Sequence, residues 1–202
     1  MLDRPDTRGH ILAIAERHLM RRGYHAFSYG DIATELGIKS AAIHYYFPAK
    51  TDLVCAVIQA YGERFAAWVQ HTATATPAER LAGYFEIGRL IAQDGRVCPL
   101  SMLVAQQEAI PEVVQRDVRK LHTRISAFYV ENLEKARCSG SIHFGGSAED
   151  QGALMGCALV GAQLLARVHG VDAYMRVMRQ QARSLGLPEN WPVYALPARS
   201  QP

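Results

Sequence analysis

None of the four cysteines, Cys55, Cys98, Cys138 and Cys157, forms a CxxC pair. Their spacing therefore encodes neither a disulfide framework nor a cysteine-ligated metal site, and a reducing compartment is the natural setting. The opening residues, Met1-Leu2-Asp3-Arg4-Pro5-Asp6, lack a basic segment followed by an apolar one. No secretory signal is expected there, and a cytoplasmic location is. The longest uncharged run, Gln151 to Ala166, contains two Gln and reads as a buried helix, too short for a membrane span. GxSxG, P-loop, HExxH and a strand-borne GxGxxG are all missing, and the eight His include no i, i+4 pair. No motif-bearing enzyme class, metal or cofactor is therefore expected. Charge is also scarce. A net +3 over 202 residues is too little for a non-specific architectural DNA binder. Sixteen Gly and nine Pro follow no period, which excludes a collagen-like chain.

What the chain does have is helical periodicity. Hydrophobic residues make up 49% and charged residues 20%, the balance of a globular fold. Thr7 to Arg22 carries Ile11, Ile14, Ala15, His18 and Leu19 on one stripe and stops at Gly23. Ser28 and Asp31 are spaced as a capping box opening a short helix that Gly37 ends. A second short helix is expected over Ser40 to Tyr46, then a long one from Pro48 to Gln70. Thr76-Pro77-Ala78-Glu79 and Ser147-Ala148-Glu149-Asp150 read as two more capping boxes, and Pro99 and Pro111 as two more helix starts. Long helices to about Arg137 and Val168 follow, and a last one over Val171 to Leu185. The tail from Gly186 holds four Pro, with Trp191 and Tyr194 available to tether it. The expected class is all-α. Its expected parts are a DNA-binding segment (1–50), a larger helical segment for effector binding and dimerisation (51–185), and the tail (186–202).

Two short helices joined by a Gly turn and braced by a longer one have the dimensions of a helix-turn-helix, whose second helix fits the DNA major groove. The first fifty residues also hold seven Lys and Arg against five acids, with four of the eight His. On the second helix Ile43 and Phe47 face inward. Ala41 and Ala42 permit close approach and offer methyls to thymine, while Lys39 and Ser40 supply polar groups. His44, Tyr45 and Tyr46 suit phosphate hydrogen bonds. Lys50, and the helix start at Ser28 with Tyr29 beside it, are expected on further phosphates. Each residue alone would fit an ordinary bundle core; their joint placement after the turn points to DNA.

Asp31-Ile32-Ala33, Leu36-Gly37-Ile38 and Ile43-His44-Tyr45-Tyr46-Phe47-Pro48-Ala49-Lys50-Thr51-Asp52-Leu53 resemble the DNA-binding domain of the tetracycline-repressor (TetR) family. The resemblance covers about residues 7–55. It implies a homodimeric regulator with a helical ligand domain, a repressor released from a palindromic operator by a small molecule. It also implies recognition residues Lys39 to Tyr46 and a phosphate contact at Lys50. Lys39 stands where the family usually caps the recognition helix with Ser or Thr, and His44 where Tyr is common.

Beyond residue 55 the resemblance fades. Gly152, Ala153, Gly156, Cys157, Val160, Gly161 and Leu164 recur three or four apart, so two copies could pack closely. The resemblance implies that this helix and the next, with Tyr174 and Met178, form the dimer interface; packing within one chain would use the same stripe. A second copy also lets the protein read two half-sites one helical turn apart. Phe65, Trp68, Phe85, Met102, His122, Phe128 and Tyr129 are the expected lining for a small, mainly apolar effector. Cys98 precedes Pro99 at a helix start, where a thiolate is favoured. Cys98 to Ala105 also looks like a segment that some family members use to sense electrophiles, which makes Cys98 a candidate sensor; a buried structural thiol is the plain alternative. An all-helical enzyme, with a site such as Cys98 near His122, is the alternative function.

Overall fold

The computed structural model describes residues 6–187. The expectations for Trp191, Tyr194 and the Pro-rich tail lie outside the described residues. The helices are α1 (Thr7–Arg22), α2 (Tyr29–Leu36), α3 (Ser40–Tyr46), α4 (Lys50–His71), α5 (Pro77–Gln93), α6 (Pro99–Val104), α7 (Glu112–Cys138), α8 (Ala148–His169) and α9 (Val171–Leu185). A 3₁₀ turn occupies Gln107–Ala109. Among the described residues there is no strand.

Helix ends follow local chemistry. Asp6 caps α1 by accepting the Gly9 N–H at 2.8 Å, and Arg21 and Arg22 sit where the helix dipole favours cations. Both halves of the Ser28–Asp31 and Thr76–Glu79 capping boxes are formed, the second with Pro77 in the first turn. At the start of α8 the Ser147 hydroxyl accepts the Asp150 N–H at 3.0 Å and donates to the Asp150 carboxylate at 2.8 Å. Gly37, at φ +65°, ψ +30°, takes the left-handed conformation that closes α2. One start differs from expectation. α4 begins at Lys50 rather than Pro48, because Asp52 reaches back to accept the Ala49 N–H at 3.0 Å.

The chain folds into two compact units. The first takes residues 6–63 and 99–120, so α6, the 3₁₀ turn and the start of α7 join α1–α3 and most of α4. It is therefore built from more than the 1–50 segment. Its core is Ile11, Ala15, Leu19, Ile32, Ile43 and Leu53, all fully buried, with α1 packed on α2 and α6, and α2 on α3. Each such Leu or Ile contributes about 1.5–3 kcal/mol by leaving water. The second unit takes residues 64–98 and 121–187. There α8 and α9 pack as a hairpin around Gly170, and α5 packs on both, buried continuously from Leu81 to Gly88.

α8 also corrects a sequence expectation. With its charged ends it is 22 residues long, and by length and composition alone it could cross a membrane. Only one face is buried in its own unit, through Gly152, Met155, Leu159, Ala162 and Ala166. Leu154, Leu164, Leu165 and Val168 stand exposed, Val168 at 74%.

Candidate nucleic-acid interface

α3 is one seven-residue helix with two chemically distinct sides. Ile43 (0% exposed) and Phe47 bury against the first unit, while Ser40, Ala41, His44, Tyr45 and Tyr46 are exposed, Tyr45 at 82%. Ala42 is half-buried between them. Lys39 is the N-cap residue, exposed, and makes no side-chain capping bond, which leaves its ammonium outside the helix frame. Tyr45 and Tyr46 pack edge to face, ring centroids 5.1 Å apart. The outward face of α3 is thus small at Ala41 and aromatic or polar at its end, as the sequence predicts.

Two expected phosphate contacts point elsewhere. Tyr29 is buried, and its hydroxyl donates to the Phe47 carbonyl at 2.8 Å. Burial pushes its phenol up to about 12. Its ring meets the His44 imidazole edge-on at 4.6 Å, so Tyr29 positions α3 from behind. The first turn of α2 packs on the core side of α3, a placement that sequence spacing alone does not give. Lys50 likewise turns inward. Its Nζ donates to the Phe27 carbonyl and lies over the Phe27 and Tyr24 rings, at 4.3 and 5.0 Å from their centroids. Burial lowers its pKa, against the smaller opposing effect of Asp31. Ser28 remains exposed, its hydroxyl engaged with Asp31.

The frame behind α3 is polar and specific. Glu35 of α2 pairs with Arg17 and with His18 Nε2 (3.3 Å) of α1. His18 stacks on Phe27, and burial, followed by Arg22, lowers its pKa. Arg8 lies over the Phe47 ring at 5.2 Å. Two contributors have no sequence signal. Gln106 Oε1 accepts the Tyr24 N–H at 2.7 Å, and His25 Nε2 donates to the Ala109 carbonyl at 2.9 Å. They tie residues more than eighty positions apart, and nothing in local spacing reveals them.

Residues 11–57 match the family described as bacterial regulatory proteins, tetR family. A TetR-family transcriptional regulator from Agrobacterium tumefaciens superposes with a TM-score of 0.82. It is 28% identical, and the match covers 88% of this chain and 96% of that one. A TetR regulator from Legionella pneumophila gives a TM-score of 0.81 at 27% identity, over 91% of this chain and all of that one. Residues 11–57 are a TetR-family DNA-binding domain, and the chain has the fold of TetR-family transcriptional regulators. It is also 29% identical over 79 residues, 39% of its length, to the HTH-type transcriptional activator FasR of Mycolicibacterium smegmatis. That match spans 36% of FasR.

The expected effector residues divide. Phe65, Trp68, Phe85, Cys98, Phe128 and Tyr129 are buried in the second unit. Phe65, Trp68 and Phe128 form one ring cluster with centroids 5.4–6.3 Å apart, and Tyr129 joins it through Phe128 at 6.0 Å. Tyr84 touches all four rings, a member the sequence reading missed. Its signal was its place on α5, a helix buried on every side. The Tyr84 and Tyr129 hydroxyls bond each other, and burial raises both phenol pKa values. His122 does not join them. It is exposed on α7, its Nδ1 3.4 Å from the Ser126 hydroxyl. Met102 lies half-buried on α6, in the first unit. Cys98, directly before α6, is buried, and its backbone N–H donates to Gln163 Oε1 at 2.9 Å.

The expected dimer residues divide as well. Tyr174 and Met178 are fully buried, and the Tyr174 hydroxyl donates to the Phe85 carbonyl at 2.5 Å. A Cβ on Gly152 would press on Tyr129 at 3.3 Å. These three pack inside their own unit, because α9 turns its apolar face to α5 and α8. Ala153, Cys157 and Leu164 are exposed, Gly156, Val160 and Gly161 half-exposed, and a Cβ on Gly161 would meet nothing within 4 Å.

Proposed function

We propose that this regulator is a ligand-responsive repressor that binds a palindromic operator as a homodimer and leaves it when a small, mainly apolar effector occupies the second unit. The observation that carries the reading is the exposed row Ser40, Ala41, His44, Tyr45 and Tyr46 on a helix anchored by buried Ile43 and Phe47. Lys39 and Ser40 at its start, with Ala42 alongside, complete the reading surface. His44 Nδ1 rests 3.4 Å from the Pro48 carbonyl, so Nε2 becomes a donor to a phosphate only when both ring nitrogens carry protons.

One such helix reads too few base pairs for useful specificity, so a second copy is required. The stripe of exposed Leu154, Cys157, Leu165 and Val168 on α8, with half-exposed Gly161 among them, supports a two-fold interface. Its period matches a helix packing against its own copy. Among solved regulators of this fold, one from Saccharomonospora viridis holds choline and one from Bacillus subtilis holds stearoyl-CoA. They support reading the aromatic second unit as the receptor. The effector acts by binding one dimer geometry better than the other. Footprinting on the regulator's own promoter tests the reading. One protected palindrome, lost with Tyr45→Ala and His44→Ala in a folded protein, is the expected result; sequence-independent binding or none overturns it.

A further inference from the structure

Within the second unit, three buried N–H donors have no acceptor: Arg96 Nε, Trp68 Nε1, on a side chain 0% exposed, and Arg80 Nε. The Trp68 and Arg80 side chains contact the same ring. Arg80 Cζ lies 5.2 Å from the Phe128 centroid, and the Trp68 ring lies 5.4 Å from it at 64°. The other Arg80 nitrogens are held by neutral acceptors: NH1 donates to Asn132 Oδ1 at 3.1 Å, NH2 to the Val69 carbonyl at 3.3 Å. Asn132 is fixed in turn, its Nδ2 donating to the Phe128 carbonyl at 2.7 Å. Glu131, the acidic neighbour that feels Arg80, is hydrogen-bonded to Lys135. The guanidinium thus lies against the Phe128 ring, which the Trp68 indole, its own N–H without a partner, also touches.

Buried donors in folded proteins almost always find an acceptor, and a ring face is a weak one. A carboxylate supplies what both donors lack, and a charge-assisted bond to arginine is the strong form of the contact. One cation matches one negative charge, and a quaternary ammonium would be repelled. We propose that the effector of this regulator is an apolar monocarboxylate. Its carboxylate is held by Trp68 and Arg80, and its body by Phe65, Tyr84 and Phe128. The inference rests on the ligand-responsive reading above and names the class of ligand.

Trp191→Phe leaves Trp68 as the one indole of the chain, which makes it a direct reporter. Phenylbutyrate and decanoate are the probes, with phenylbutanol and phenylbutyltrimethylammonium as neutral and cationic counterparts. We expect saturable changes in Trp68 emission with the carboxylates and a downfield shift of its nitrogen-15-labelled indole N–H. The two counterparts should bind about tenfold more weakly or worse. Arg80→Met should abolish the preference for carboxylate, and Arg80→Lys should keep part of it. Where Arg80→Met unfolds, Trp68→Phe, followed by calorimetry, should shrink the same preference. Equal affinity for acid, alcohol and ammonium overturns the proposal, as does an indole resonance unmoved by both carboxylates. DNA binding separates the two readings. Release by a neutral or cationic inducer, without carboxylate binding, removes this site and keeps the ligand-responsive regulator. Carboxylate binding that leaves DNA affinity unchanged keeps the site and removes its role in regulation.

Discussion

The Tyr29 hydroxyl donates to the Phe47 carbonyl across 2.8 Å, fastening the first turn of α2 to the residue that ends α3. Tyr29→Phe leaves that carbonyl without its partner and should cost about 1–2 kcal/mol in thermal or denaturant unfolding. It should also weaken operator binding in gel shift, although Tyr29 is buried. Burial of the phenol has a pH signature. The folded phenol titrates near 12 and the free one near 10, so the fold prefers the protonated form. The stabilisation is complete below pH 10 and is lost as pH rises through 12. The alkaline fall in denaturation midpoint should be shallower in Tyr29→Phe than in the parent.

Asp31 gives the opposite dependence. Its bonds to the Ser28 side chain and N–H hold its pKa below the ordinary 3.8. That contribution is present above pH 3.8 and is lost as pH falls through the lowered value. Asp31→Asn should therefore be less stable than the parent at neutral pH, with the gap closing in acid. A constant gap from neutral pH to acid would contradict the capping account.

Gly23 ends α1 at φ +83°, and a Cβ there would meet the Gln106 carboxamide at 2.7 Å. Gly23→Ala should lower stability by about 1–2 kcal/mol, through the left-handed backbone and through displacement of Gln106 from the Tyr24 N–H. Gln106→Met, which removes only the acceptor, should cost about 1 kcal/mol. Differential scanning fluorimetry would rank the two.

Leu164→Glu together with Val168→Glu places charge on the exposed face of α8. Sedimentation should show a monomer where the parent is a dimer, with circular dichroism unchanged and operator affinity greatly reduced. The buried Tyr174 and Met178 should behave differently, their truncation unfolding the second unit.

Thiol alkylation at pH 8 should proceed in a set order. Cys138 is exposed and should react first; Cys157 should react with it in a monomer and be protected in the α8-paired dimer. Cys55 is half-buried, and its thiol is pushed up to about 11, first by burial and then by its hydrogen bond with Asp117, so it should be slow. Peptide mass spectrometry reads all four sites at once.

The helices were legible where their signals are local. Ser28, Thr76 and Gly37 act on backbone groups within a turn, and α1, α3 and α9 fall where spacing puts them. The inward side of α3 was legible for the same reason: Ile43 and Phe47 are one turn apart. What spacing could not assign is the direction of amphipathic side chains. Tyr29 and Lys50 carry both an apolar stem and a polar tip, and the Phe27 and Phe47 carbonyls draw them inward. Tyr174 fitted an interface or a core equally well from sequence; the Phe85 carbonyl settles it in the core. Arg80 was passed over because a charged residue in a first helical turn ordinarily faces water, whereas here α7 covers it with Asn132 and Phe128.

Ala41 and Ala42 would bring nothing to the groove but methyl groups. Where these two meet a base, discrimination would be by touch, and the one base with a matching methyl is thymine. Stripped of those methyls by uracil substitution, the same operator would keep its shape and its pairing yet lose much of its meaning to this protein.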